Sequence, residues 1–214
     1  MNNRKMVVVV LYMFLCSVLL SGCRKENPQN QGTKKEEAVK LSDSFIIQEE
    51  NNIDYQTGME CSGFASAYIL RHFGESADGK KVYDEIPNKM PDGGVVPDSI
   101  VDFFTELGYE AEFKESGTIK ELKQEIMTGN PVILFIHMKE PYESVHETHY
   151  VPMTGYDKQY IYVAESVKDA ANCIEKEKEG YNRKIEVSQF ERLWSNVDGV
   201  WENPYFVIRK NITS

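Results

Sequence analysis

One thiol of the 214-residue chain stands where sulfur chemistry is favoured. Cys61, in "YQTGMECSGFASAYILRHFG", separates a polar loop from a stretch with helical periodicity. A thiol is nucleophilic only as the thiolate, and the first turn of a helix offers unpaired N–H groups and a positive dipole end that favour that form. Such a sulfur needs an imidazole to take and return a proton, and a third group to fix the tautomer. His149, which opens "HYVPMTGYD", is the partner the sequence offers, because the two are expected to be distant in the chain and adjacent in the fold. The other histidines fit less well. His72 lies at the far end of the Cys61 helix, about 16 Å along it at ~1.5 Å per residue. His137, near the end of an apolar run, reads as a core residue, and His146 falls in the loop "KEPYESVHET". A zinc reading would use His146 and His149 at i, i+3, but no third ligand follows at a recognisable spacing, so neither metal nor cofactor is expected.

Alternating helices and strands must position these groups. Apolar residues at 64 and 68, and at 65, 69 and 73, predict a helix over 61–73 that Gly74 stops. Pro97 and Asp98 start a second helix through Leu107, closed by Gly108. Tyr109, Ala111 and Phe113 alternate as a short strand, and Thr118 with Glu121 forms a capping box for a helix ended by Gly129. "PVILFIHM" is a buried strand by its continuous apolar run. Residues 149–166 read as a hairpin about a Gly-Tyr-Asp-Lys turn, and Ile185 and Val187 mark another strand. Ser188 and Glu191 are expected to cap a helix carrying Phe190, Leu193 and Trp194, and residues 205–208 make the last strand. A helix-rich first half followed by a mainly antiparallel sheet is an α+β fold. Trp194, Trp201, Tyr205 and Phe206 are expected in its core.

The N-terminus sets the compartment. Arg4 and Lys5, the apolar stretch 6–20 and the ending Leu-Ser-Gly-Cys at 20–23 make residues 1–22 a signal peptide. The ending resembles the lipobox of bacterial lipoproteins, which implies cleavage before Cys23 and a lipid on it. The expected location is the extracytoplasmic face of the cell membrane, with 23–40, "CRKENPQNQGTKKEEAVK", as a polar tether. Residues 41–214 suit one domain with a full core, taken as a monomer. Cys16 leaves with the signal and Cys23 takes the lipid, so only Cys61 and Cys173 remain as thiols or a disulfide. The chain carries −10, and loss of Arg4 and Lys5 takes it to −12, which argues against nucleic acid as a partner.

Over residues 53–209 the chain resembles the C39-like group of papain-like cysteine peptidases. The resemblance rests on Gln56 ahead of Cys61, "GNPVILFI" from Gly129, "HYVPMTGYD" from His149 and "YIYVAES" from Tyr160, in that order. It implies a papain-like α+β fold with Cys61 at a helix start, and a peptide or protein substrate. It also implies an oxyanion role for Gln56 and a third catalytic position at Glu165, where the family usually has Asp. Asp157, in the hairpin turn, lies at the opposite end of the strand from His149. Ser62 replaces the family's Gly after the Cys, with Gly63 one place later, so "ECSGF" also looks like the start of the NlpC/P60 cell-wall endopeptidases. The downstream strands favour the C39-like reading. A catalytically inactive peptide-binding lipoprotein with the same fold stays open beside both. The expectation is a membrane-anchored cysteine peptidase acting through Cys61, His149, Glu165 and Gln56.

Overall fold

The computed structural model describes residues 40–140 and 147–211. The expected signal peptide, Cys23, the expected tether up to residue 39 and His146 lie outside them.

Among the described residues an antiparallel sheet runs in the order β2-β7-β3-β4-β5-β6. Its strands are β2 (Tyr109–Lys114), β3 (Val132–His137), β4 (Thr148–Tyr156), β5 (Tyr160–Val163), β6 (Arg183–Glu186) and β7 (Tyr205–Lys210). A two-residue strand, β1 (Phe45–Ile46), adds to the far end of β4. That crossing explains the glycine of "TGYD": a Cβ on Gly155 would sit 2.8 Å from the Phe45 carbonyl oxygen. β4 thus meets β3, β5 and β1, and it is buried along nearly its whole length.

Side-chain alternation along β3 divides the core. Val132, Leu134 and Ile136 join a cluster with Leu122, Ile126, Phe190 and Trp194, from α4 (Ile119–Met127) and α5 (Val187–Trp194). Ile133 and Phe135 join a second cluster with Ala65, Ile69, Ile100 and Phe104. These come from α1 (Cys61–His72) and α3 (Pro97–Glu106), which pack with α2 (Gly79–Glu85). The helices of the first part of the chain, α1 to α3, therefore pack on one face of the sheet, and α4 and α5 cover the other. The α+β class stands.

The capping box at Thr118 is present with both bonds, and Gly129 takes a φ of +88° beyond the helix end. At α5 the expectation needs correcting. The helix begins at Val187, a residue read as strand, and no side chain caps it. β1 and α2 were not anticipated; α2 is seven residues long with only Gly79 and Val82 buried, too little periodicity to read. It nevertheless packs tightly on α1, since a Cβ on Gly63 would lie 2.3 Å from Tyr83 Cβ.

Candidate active site

Cys61 is the first residue of α1, partly exposed above a helix whose next turns are largely buried. Glu60 precedes it but does not cap it. Its carboxylate turns back to accept from the Thr57 and Gly58 N–H groups, each at 3.0 Å, and fixes the preceding loop. The first N–H groups of α1 are left without a side-chain cap, with their dipole end at the sulfur.

His149, second residue of β4, is fully buried. Its Nε2 donates to Glu165 Oε1 at 2.8 Å. That leaves Nδ1 for the sulfur. Cys61 is close enough to raise the imidazole pKa, yet Nδ1 makes no hydrogen bond of good geometry. Such loose contacts are usual in unliganded sites and tighten with substrate. Burial alone would push the His149 pKa down; the Glu165 charge, with the Cys61 sulfur, outweighs it and raises the value to about 10. Burial likewise acts to raise Glu165, and the His149 and Arg183 charges bring it down to about 2. Both directions favour the charged forms, an imidazolium beside a carboxylate.

Glu165 lies just past the end of β5 and is held at every polar atom. Val167 N–H donates to Oε1 and Arg183 Nη1 to Oε2, both at 2.8 Å. Arg183 Nη2 also reaches the Met138 carbonyl oxygen at 3.2 Å. The Asn182 side chain accepts from Glu165 N–H at 2.7 Å and donates to its carbonyl oxygen at 2.9 Å. Arg183 and Asn182 were missed. Arg183 had a signal, because it shares the buried face of β6 with Ile185 where an apolar residue is expected.

Gln56 is tied to the same junction. Its backbone N–H donates to the Ser166 carbonyl oxygen at 2.9 Å, and its Oε1 accepts from Ser166 Oγ at 2.6 Å. Its Nε2 spends one hydrogen on the Gly58 carbonyl oxygen at 2.6 Å. Asp157, in contrast, organises the hairpin turn by accepting from Gln159 N–H, Tyr160 N–H and Tyr162 Oη. His72 sits at the other end of α1, and His137 is buried at the end of β3. No disulfide joins Cys61 to Cys173, which is 4% exposed.

A cavity of about 390 Å³ opens beside Cys61. Trp201 lines it, so that residue serves the site as well as the core, unlike Trp194, Tyr205 and Phe206. A larger hollow, about 640 Å³, lies by Arg71 at the opposite end of α1 and holds none of these groups.

Residues 43–201 match the model of the peptidase C39 like family. No curated protein matches the chain. Among solved structures, a Bacillus anthracis protein described as a C39-like peptidase superimposes with a TM-score of 0.59 at 18% identity, covering 78% of this chain and 99% of that one. The peptidase domain of Streptococcus ComA, a bi-functional ABC transporter involved in a quorum-sensing pathway, gives 0.55 at 12% identity over 76% and 100%. A Carica candamarcensis cysteine protease in complex with E-64 gives 0.55 at 14% over 80% and 100%. The shared fold is that of C39 peptidases and papain-like proteases.

Proposed function

The chain belongs to the peptidase C39 like family, and on that premise we propose that it is a cysteine peptidase, held outside the cytoplasm by a lipid on Cys23. The observation that carries the reading is the buried His149–Glu165 pair at 2.8 Å, with the remaining ring nitrogen left for a sulfur at a helix start. The pair is placed to take and return a proton at that sulfur.

Cys61 attacks a peptide carbonyl, and the charge that develops on its oxygen meets the Cys61 backbone N–H and the second amide hydrogen of Gln56. His149 gives its proton to the departing amine. It then takes one from water, whose oxygen attacks the acyl-enzyme and releases Cys61. Glu165 stays ionised throughout and holds the ring. The Asn182 side chain holds the Glu165 backbone at both its N–H and its carbonyl oxygen while the carboxylate reaches His149 Nε2. The tether lets a monomer reach peptides near the membrane. Of the two enzyme resemblances, the C39-like one is what the family match supports.

Alkylation of Cys61 tests the reading without a known substrate. Cys173 is buried and will label slowly whatever its chemistry, so the informative comparison is between variants. Iodoacetamide at pH 6, with labelling located by peptide mass, should modify Cys61 quickly in the wild type and much more slowly in His149→Ala. Equal slow rates in both would remove the nucleophile and favour the inactive binding protein.

A further inference from the structure

Gln56 stands in the loop between β1 and α1, so no helix or strand fixes its side chain. A side-chain amide turns readily about its last bond unless both ends are held. Here both are. Oε1 accepts from Ser166 Oγ at 2.6 Å, and Nε2 donates to the Gly58 carbonyl oxygen at 2.6 Å. Turning the amide over would face Oε1 to that carbonyl oxygen, acceptor against acceptor, so the grip also fixes which end is which. The Gly58 end is anchored by the Glu60 carboxylate, which accepts from the Thr57 and Gly58 N–H groups. The Ser166 end is anchored on the sheet. Ser166 is 5% exposed and lies between Glu165, whose backbone Asn182 holds, and Val167, whose N–H donates to Glu165 Oε1. Its carbonyl oxygen also accepts from Gln56 N–H at 2.9 Å, so one residue holds Gln56 by backbone and by side chain. A second tie runs alongside: Asn182 Nδ2 donates to Tyr55 Oη at 3.3 Å, and Tyr55 Oη donates to Glu177. The Gln56 amide and the carboxylate on His149 therefore share one hydrogen-bonded frame.

We propose that Ser166 is a positioning residue for the oxyanion site: its hydroxyl holds the Gln56 amide so that the second Nε2 hydrogen stays available to the oxygen of the attacked carbonyl. Ser166 itself touches no reacting atom. A donor stabilises developing charge by being in place beforehand, and an amide free to turn gives up much of that advantage. This role rests on the peptidase reading for the use made of Gln56, and adds the group that fixes it.

Two probes of Cys61 separate this role from a structural one. Iodoacetamide alkylates the sulfur by displacing iodide and forms no oxyanion. The aldehyde acetyl-Leu-Leu-norleucinal adds the sulfur to its carbonyl carbon, the carbonyl π pair passes to the oxygen, and nothing leaves. Protection of Cys61 from iodoacetamide by the aldehyde, in full-length protein purified in detergent, gives the aldehyde's Kd. Ser166→Ala should weaken the aldehyde about tenfold, as loss of one hydrogen bond supplies, while alkylation without aldehyde keeps the wild-type rate. Ser166→Thr retains the hydroxyl and should restore most of the affinity. Gln56→Ala should weaken the aldehyde by about 10², and adding Ser166→Ala to it should change nothing further. Unchanged affinity in Ser166→Ala, or the same tenfold loss in the Gln56→Ala background, would overturn the proposal. The Gln56 side-chain amide signal of ¹⁵N-labelled protein reads the hold without any catalysis: it should shift and exchange faster with water in Ser166→Ala. A signal identical to wild type overturns the hold whatever the sulfur does, and where the aldehyde protects no variant this signal alone decides. Wild-type Cys61 that labels no faster than in His149→Ala, together with a shifted amide signal, removes the peptidase and keeps the hold.

Discussion

Glu165 divides its carboxylate between two cations, with Oε1 2.8 Å from His149 Nε2 and Oε2 2.8 Å from Arg183 Nη1. One anion therefore neutralises two buried positive charges. On the proposed reading it is both the group that orients His149 and the centre of an ion triad, and the two roles respond differently to substitution.

Glu165→Gln keeps the shape but removes the charge. The imidazolium loses its stabilisation, and peptide turnover should fall by orders of magnitude, about 10⁴ in the comparable Asp-to-Asn change of a serine protease. Arg183 is left buried and uncompensated, so the melting temperature should drop too, by an amount corresponding to roughly 3–5 kcal/mol. Glu165→Asp retains charge but withdraws the carboxylate by about one methylene, ~1.5 Å, and should lie between wild type and Glu165→Gln in activity. Full activity in Glu165→Gln, measured on any cleaved peptide, would reduce the site to a Cys61–His149 dyad.

Arg183 touches no reacting atom and is expected to act by positioning Glu165. Arg183→Met should lower turnover by about 10², as a 1 Å misplacement does, with KM little changed. Arg183→Lys should recover part of it, since an ammonium still pairs with Oε2 but gives up the fork that also reaches the Met138 carbonyl oxygen. A purely structural arginine would change melting temperature while leaving kcat of the folded protein intact.

The pair should leave an edge on each side of the stability profile. Glu165 is depressed from 4.5 to about 2, so its contribution is full above about 4.5 and is lost as pH falls through about 2. His149 is raised from 6.5 to about 10, so its contribution is full below about 6.5 and is lost as pH rises through about 10. Thermal melts from pH 6.5 to 10 should decline more steeply for wild type than for His149→Ala. Parallel curves would contradict the imidazolium.

Gly63→Ala probes the seat of α1. The new methyl would lie 2.3 Å from Tyr83 Cβ and 2.5 Å from the Gly79 carbonyl oxygen, so α2 must move. Overpacking of this kind costs about 1–3 kcal/mol, and calorimetry should show the loss together with an altered rate of Cys61 alkylation.

The anchor has its own test. Metabolic labelling with palmitate should mark the wild-type protein and leave Cys23→Ser unlabelled. A soluble, unlabelled mature wild type would contradict the lipoprotein reading.

Local rules made much of the fold legible. The Thr118 capping box, the continuous apolar run of β3 and the hairpin around Asp157 each declare themselves within a few residues. β1 and α2 do not, because two residues of strand and one short helix are stabilised by what they pack on, and Gly155 and Gly63 register those contacts without naming the partner. At the site, Cys61 and His149 stood out by residue type and by their places at element starts. Glu165 came from resemblance alone. Asn182 had no local signal, since an asparagine before a strand reads as a turn residue until its amide is seen against the Glu165 backbone.

That amide has an evolutionary consequence. The β5–β6 ladder ends at the pair Val163 and Arg183, and beyond it the Asn182 side chain supplies the next rung, offering an acceptor and a donor to Glu165 as a neighbouring strand would. A rung made by a side chain can be lengthened, shortened or removed by one codon change while every main-chain rung stays in place. The spacing between the carboxylate and His149 is thus separately heritable from the sheet. In this chain the backbone that carries the carboxylate can therefore be reset through one amide, with no insertion, deletion or shift of strand register.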